Sequence, residues 1–150
     1  MFYIIFVIFA ACIAQMQILP LAGVRFDLLL IVTCYYGFLY GINTGLVVGL
    51  VSGLAQDVFS GGVLGVAPAG LVLCGLLAGY TRKILLLRYW MLRVAIVFIF
   101  TILNLAVYSF LIGLFSQGDY LGLFKKHWFI ISTGNSIIAG VLFWLVDRFE

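Results

Sequence analysis

Residues 41–65 read GINTGLVVGLVSGLAQDVFSGGVLG, and this stretch decides the fold class. A glycine stands at every fourth position from Gly41 to Gly53, and Asp57 continues the series. Residues four apart share one face of a helix, and small residues on that face let a second helix backbone approach closely in lipid. The stretch therefore predicts a membrane helix that packs through a glycine ridge, defined here as Gly45, Gly49 and Gly53.

The composition of the whole chain also predicts a membrane protein. Of its 150 residues, 66% are hydrophobic and 9% are charged, whereas a soluble domain carries about 25% charged residues. Long stretches such as 28–56 and 94–118 carry no charge at all. A transmembrane helix needs ~20 mainly apolar residues, so five or six spans would occupy most of the chain. These features exclude a water-soluble enzyme or nucleic-acid-binding protein and predict a single transmembrane domain over residues 1–150.

The apolar stretches and the breaks between them predict a compact all-α bundle of six membrane-spanning helices. The second and third spans depend on a turn at Gly41–Gly45; without it, residues 28–56 form one long helix and the bundle has five spans. Asp27 stands at an N-cap position, and Gly61 stands where glycine commonly ends a helix. The six predicted spans are 2–19, 26–42, 43–59, 63–81, 94–116 and 128–147.

The positive charges predict the orientation of these spans. Lys and Arg in short loops prefer the cytoplasm, and their densest cluster is RKILLLRYWMLR at 82–93. With six spans, a cytoplasmic 82–93 segment puts both termini inside. The five-span alternative requires an outside N-terminus.

Asp57 is the most unusual residue, because it is the only charged residue between 28 and 81. It ends its predicted helix, where the macrodipole disfavours an anion, and ionisable groups at membrane depth are costly. We therefore expect a compensating donor. Backbone N–H groups of the next helix, a partner's cation and interfacial water all remain open at this point. Gln56 broadens the same helix face.

The other polar residues predict no chemistry. Arg25 is expected to be an interfacial anchor, and Asn104 with the polar group at 132–136 is expected to hydrogen-bond between helices. The chain has one histidine and one glutamate, and no spacing of acid, base and positioning donors is visible. We expect no catalytic residue, no metal and no cofactor.

Residues 25–80, taken together, resemble the MreD family of bacterial rod shape-determining membrane proteins. In that family an Arg-Pro start leads into a Leu-rich helix, and a glycine-ridged helix ends in a Gln/Leu-Asp-x-x-Ser-Gly-x-x-Leu-Gly run. Here the run is QDVFSGGVLG at 56–65, while Phe26 replaces the usual proline. Beyond residue 93 only the hydropathy matches. The candidate residues for partner binding or helix packing are Gly45, Gly49, Gly53, Gln56, Asp57, Ser60, Gly61, Gly65, Arg25 and Asp27.

The resemblance implies a non-enzymatic scaffold in the bacterial cytoplasmic membrane. MreD-like proteins bind the bitopic protein MreC, and work with the MreB filament and with RodA and its transpeptidase partner to organise peptidoglycan synthesis in cell elongation. The family is also similar to the six-helix substrate-binding subunits of energy-coupling-factor transporters. A small-molecule-binding subunit of that type is therefore the alternative function, and a small channel or flippase is a third. Membrane lipid and, in a homo-oligomer, a second copy of the chain are the further candidate partners.

Overall fold

The computed structural model of the chain describes residues 2–17, 26–61, 63–84, 90–115 and 120–149. These residues form six α-helices and, over the described ranges, no strand, which confirms the predicted all-α class. The helices are α1 (Phe2–Gln17), α2 (Leu28–Tyr40), α3 (Ile42–Ser60), α4 (Val66–Ile84), α5 (Trp90–Phe115) and α6 (Tyr120–Phe149).

Three helical segments are long and apolar enough to cross a membrane, namely Ile42–Ser60, Met91–Leu114 and Trp128–Leu145. Shorter apolar helices cover Phe6–Gln15, Leu28–Tyr40 and Val66–Arg82. The lengths and composition indicate a membrane protein.

The chain turns between α2 and α3 at a single residue, Gly41. The Gly41 N–H donates to the Gly37 carbonyl oxygen at 2.9 Å and closes α2. Gly41 has φ +95°, which interrupts the helical backbone, so residues 28–56 do not form one long helix. The turn is also shorter than the predicted Gly41–Gly45 segment, because Asn43 and Thr44 already lie in the first turn of α3.

Two helices are longer than the spans predicted from hydropathy. Helix α5 begins at residue 90 rather than 94, and α6 begins at residue 120 rather than 128. The expected loop before α6 is thus largely helical. Hydropathy locates the apolar part of a helix, whereas backbone hydrogen bonding continues into flanking polar residues. Of the basic segment 82–93, residues 85–89 lie outside the described ranges.

Helix α2 is the centre of the bundle. It packs against α1, α3 and α4, with smaller contacts to α5 and α6. The helices are rich in apolar residues. In α2, eight of the 13 residues are buried. Its core side chains are Leu29, Leu30, Ile31, Cys34, Tyr36 and Phe38, each with at most 5% of its surface exposed.

Candidate functional site

The glycine ridge of α3 packs against α4 of the same chain. A Cβ atom placed on Gly49 would lie 2.6 Å from the carbonyl oxygen of Leu71, closer than real Cβ atoms come. Cβ atoms on Gly45 and Gly53 would likewise collide with the backbones of Gly75 and Pro68. The two helices therefore touch backbone to backbone, as small residues allow. The ridge is used within the molecule and leaves no room there for a partner's helix.

Asp57 lies at the end of α3, and its side chain caps α4. One carboxylate oxygen accepts a hydrogen bond from the Gly65 N–H at 2.6 Å, and the other accepts one from the Ala67 N–H at 3.2 Å. Asp57 is buried, with 3% of its surface exposed. The first N–H groups of a helix have no partner within that helix, so this carboxylate supplies one. The sequence left open which donor compensates the charge of Asp57. The structure shows that backbone N–H groups at the start of α4 do so.

The cap explains how an anion is tolerated at the end of α3. The negative end of the α3 macrodipole disfavours Asp57, but the positive end of the α4 macrodipole attracts it. The same contact corrects the predicted start of the fourth span at 63. Helix α4 begins at Val66, and the Gly65 and Ala67 N–H groups at its start donate to Asp57.

The turn between α3 and α4 is shaped by two glycines of the predicted motif. Gly61 follows α3 with φ +63° and Gly65 precedes α4 with φ +102°, values that residues with side chains rarely adopt. The predicted helix end at Gly61 is confirmed. The Ser60 hydroxyl donates to the Asp57 carbonyl oxygen at 3.4 Å. Gln56 is half-buried, and its Oε1 atom has no hydrogen-bond partner among the described residues.

Four exposed apolar side chains lie on either side of this turn, two in the last turn of α3 and two just before α4. We define the turn patch as these residues, whose exposed fractions lie between 47% and 70%: Val58, Phe59, Val63 and Leu64. Asp57 is buried, whereas the four side chains of the turn patch are exposed. The arrangement is a fixed backbone that presents an apolar surface.

Asp27 belongs to a second polar cluster. Its side chain accepts a hydrogen bond from the Leu30 N–H at 3.1 Å, which confirms the predicted N-cap. Its other carboxylate oxygen accepts from the Asn104 side chain at 2.8 Å, and its backbone N–H donates to Asn135 at 2.9 Å. One residue therefore links α2 to α5 and to α6. Arg25, also predicted for the site, lies outside the described residues.

The structure adds partners that the sequence did not single out. The Gln15 side chain accepts a hydrogen bond from the Leu29 N–H at 3.3 Å and so links α1 to the start of α2. Asn135 in turn donates to the Thr101 hydroxyl at 3.5 Å. A polar residue in an apolar helix is the only sequence signal for such contacts.

A groove of about 410 Å³ lies between α5 and α6, and none of its lining residues belongs to the turn patch. We call it the α5–α6 groove. The residues that line the groove are Val94, Phe98, Thr133, Ser136, Ile137, Gly140, Val141 and Trp144.

The described residues include no cluster of three or more His, Cys, Asp or Glu side chains that could hold a metal ion.

Comparison with known proteins identifies the family. The family model for rod shape-determining protein MreD matches residues 1–149, and the chain belongs to that family. The resemblance carried by residues 25–80 is thereby confirmed and extends over the region beyond 93. Neither a curated protein nor a solved structure gives a significant match.

Proposed function

We propose that this member of the MreD family is a non-enzymatic, multi-pass scaffold of the bacterial cytoplasmic membrane that binds MreC. In this role it helps to organise peptidoglycan synthesis in the elongation complex, with MreB, RodA and its transpeptidase partner as further components. Six crossings, with both termini in the cytoplasm, are part of the proposal. The family match, which covers residues 1–149, supports a role in rod shape determination.

The observation that carries the proposal is the turn patch, whose residues lie in the sequence between Asp57 and the two N–H groups that it accepts from. The two hydrogen bonds of Asp57 fix the backbone from inside the bundle, while Leu64 and Val58 project outward with about 70% of their surfaces exposed. Exposed apolar side chains of a membrane protein contact either lipid or the apolar side chains of a partner. A surface that is already ordered loses less conformational entropy when a partner binds. We therefore propose the turn patch as the contact for MreC.

The polar side chains within the bundle support a structural role. Asp27, Asn104 and Asn135 are joined to one another across three helices, and Asp57 is joined to α4. In each case the polar atoms connect elements of the fold. Such connections hold the helices in register, which a scaffold needs in order to present a constant surface.

The test is recovery of MreC with variants of the turn patch. Leu64→Ser removes an apolar side chain with 70% of its surface exposed and leaves the Asp57 cap in place. The matched control is Leu114→Ser, since Leu114 is 66% exposed near the end of α5 and outside the patch. We expect recovery of MreC from detergent-solubilised membranes to fall severalfold for Leu64→Ser only, with rounded cells in a complementation assay. Equal recovery for both variants would remove the patch from the proposal.

The alternative function predicts a different purification product. A small-molecule-binding subunit of an energy-coupling-factor-type transporter would carry a stoichiometric small molecule instead of MreC. Mass spectrometry of the purified chain distinguishes the two outcomes. A scaffold is favoured here because the matching family model is that of rod shape-determining protein MreD.

A further inference from the structure

We infer that the turn patch contacts the segment of MreC that directly adjoins its single membrane-spanning helix on the outer side, rather than that helix itself. This contact rests on the proposed function and adds the depth in the membrane at which it is made. The depth follows from the contacts that align neighbouring helices and from two aromatic side chains, Tyr108 and Trp128.

Helices α4 and α5 lie side by side and run in opposite directions. The Cys74 thiol donates to the Phe100 carbonyl oxygen at 3.5 Å. Four residues earlier in α4, Gly70 lies against the amide oxygen of Asn104, which is four residues later in α5. Each residue back along α4 therefore corresponds to one residue forward along α5, which fixes the register of the two helices.

Three residues on three helices lie at one level near the same end of the bundle. In the α4–α5 register, the first residue of α4, Val66, is level with Tyr108. Helix α6 runs back along α5, and Asn135 donates to the Thr101 hydroxyl at 3.5 Å. Seven residues further towards that end, Trp128 is level with Tyr108 as well, since both helices rise by about 1.5 Å per residue. We call this the aromatic level.

The aromatic level marks the edge of the hydrocarbon. Tyr and Trp are enriched at membrane–water interfaces, and Tyr108 and Trp128 are 36% and 37% exposed. Lys125 and Lys126 stand just before Trp128 in the sequence, as expected beside the headgroups. The apolar stretch that begins here is Trp128–Leu145. Its length is about 27 Å at the rise of an α-helix, close to the ~30 Å of a hydrocarbon core.

The turn patch lies beyond the aromatic level. Gly53 of α3 lies against Pro68 of α4, and the two helices are antiparallel, so α3 passes the level of Val66 two residues after Gly53. Val58 is three residues beyond that point, which is about 5 Å at the rise of an α-helix. Leu64 lies at the same end, in the turn that precedes α4.

At this depth the turn patch lies in the headgroup layer, which is roughly 5–8 Å thick on each side of the bilayer. Lipid acyl chains end at the aromatic level and do not cover Leu64 and Val58, which are 70% and 68% exposed. Apolar surface that faces water or polar headgroups is stabilised by burial against apolar side chains. In a partner with one membrane helix, the side chains at this depth belong to the segment that adjoins the helix. The positive-inside rule places the α3–α4 turn on the outer side.

The depth is tested with Leu64→Cys and Val47→Cys. Both positions are exposed, at 70% and 56%, and the native cysteines have at most 1% of their surfaces exposed. Val47 lies in α3 about 16 Å deeper than Val58 at the rise of an α-helix. A membrane-impermeant maleimide, applied to vesicles of both orientations, should label Leu64→Cys severalfold more than Val47→Cys. Equal labelling at the two positions would contradict the assigned depth.

The contact is tested with a photoreactive phenylalanine analogue at position 64, in cells that contain full-length MreC. The crosslinked MreC peptides should map to the segment that adjoins the membrane-spanning helix. The same probe at position 47 is the matched control and should label phospholipid. Crosslinks from position 64 into the membrane-spanning helix of MreC, or to phospholipid alone, would overturn the inference.

Two MreC chimeras separate this inference from the proposed function. Replacing the adjoining segment with a Gly/Ser linker of equal length should lower recovery of MreC severalfold. Exchanging the membrane-spanning helix for an unrelated one should leave recovery unchanged. The reverse pattern would overturn the inference and keep MreC as the partner, whereas full recovery of MreC with Leu64→Ser would contradict the proposed contact itself.

Discussion

At the scale of single residues, Asp57 shows how one carboxylate joins the end of one helix to the start of the next. Its position in the sequence made it conspicuous, but its donors depend on how the chain returns after α3, so that the Gly65 and Ala67 N–H groups reach its carboxylate. The sequence therefore predicted that a donor was needed and left its identity open. A local contact such as the Asp27 N-cap, by contrast, spans only three residues and follows directly from the sequence.

Substitutions at Asp57 should separate its two hydrogen bonds. Asp57→Asn keeps one acceptor oxygen and replaces the other with an N–H₂ group that faces a donor, so it should be damaging to an intermediate degree. Asp57→Leu removes both acceptors and should lower the free energy of unfolding by about 1–3 kcal/mol for each N–H left unpaired. Thermal unfolding in detergent measures both. MreC recovery should fall in the same order.

Gln56→Leu is the control for this series. The Gln56 Oε1 atom has no partner among the described residues, so its loss should leave stability unchanged or raise it. Equal destabilisation by Gln56→Leu and Asp57→Leu would contradict the assigned cap.

Asn104 is the second residue whose removal should be costly. Asn104→Leu leaves one buried oxygen of Asp27 without the donor it now has at 2.8 Å, at a cost of about 1–3 kcal/mol. Thr133→Val is the control, because the Thr133 hydroxyl bonds only to its own helix. Denaturation in mixed micelles should rank Asn104→Leu well below Thr133→Val, and the reverse ranking would show that the Asp27 contact contributes little. The sequence could not predict this pair, since 77 positions separate the two residues.

At the scale of helices, the period-four glycines predicted a packing face but not the helix that covers it. The face is covered by α4, which contributes its own small residues Gly75 and Gly79. A pattern within one helix carries no information on its neighbour, so a partner protein and α4 were both consistent with it. The α2–α3 turn was predictable because the break at Gly41 is local.

Gly49 and Gly113 should respond with opposite signs to the same substitution. Gly49→Ala forces a Cβ to within 2.6 Å of a backbone oxygen of α4, and overpacking of this kind typically costs 1–3 kcal/mol. Gly113→Ala meets nothing within 4 Å and should gain up to about 1 kcal/mol of helix propensity. Midpoints of thermal unfolding report both changes. A neutral Gly49→Ala would mean that α3 and α4 are farther apart than described.

At the scale of the whole molecule, hydropathy and charge predicted the class and the orientation, and neither fixes how the helices are arranged. Hydropathy identifies apolar stretches, so it underestimated the lengths of α5 and α6. The arrangement depends on contacts far apart in the chain, such as the one between Asp27 and Asn135. The family match supports the function at the level of rod shape, and the turn patch is the proposed partner surface.

The orientation yields the last prediction. In the proposed topology, the hairpin turn at Gly41 adds one crossing relative to a single helix over 28–56, and six crossings return the C-terminus to the side of the N-terminus. The basic residues at 82–93 assign that side to the cytoplasm. A phosphatase reporter that is active only outside the cytoplasm should be silent when fused after Glu150 and active when inserted after Gly118, between α5 and α6.

The double variant Arg82→Gln with Lys83→Gln should weaken this difference between the two reporter positions, because it removes half of the positive charge of the 82–93 segment. Activity after Glu150 with silence after Gly118 would invert the orientation and move the turn patch to the cytoplasmic face, whereas activity at both positions would contradict a single topology.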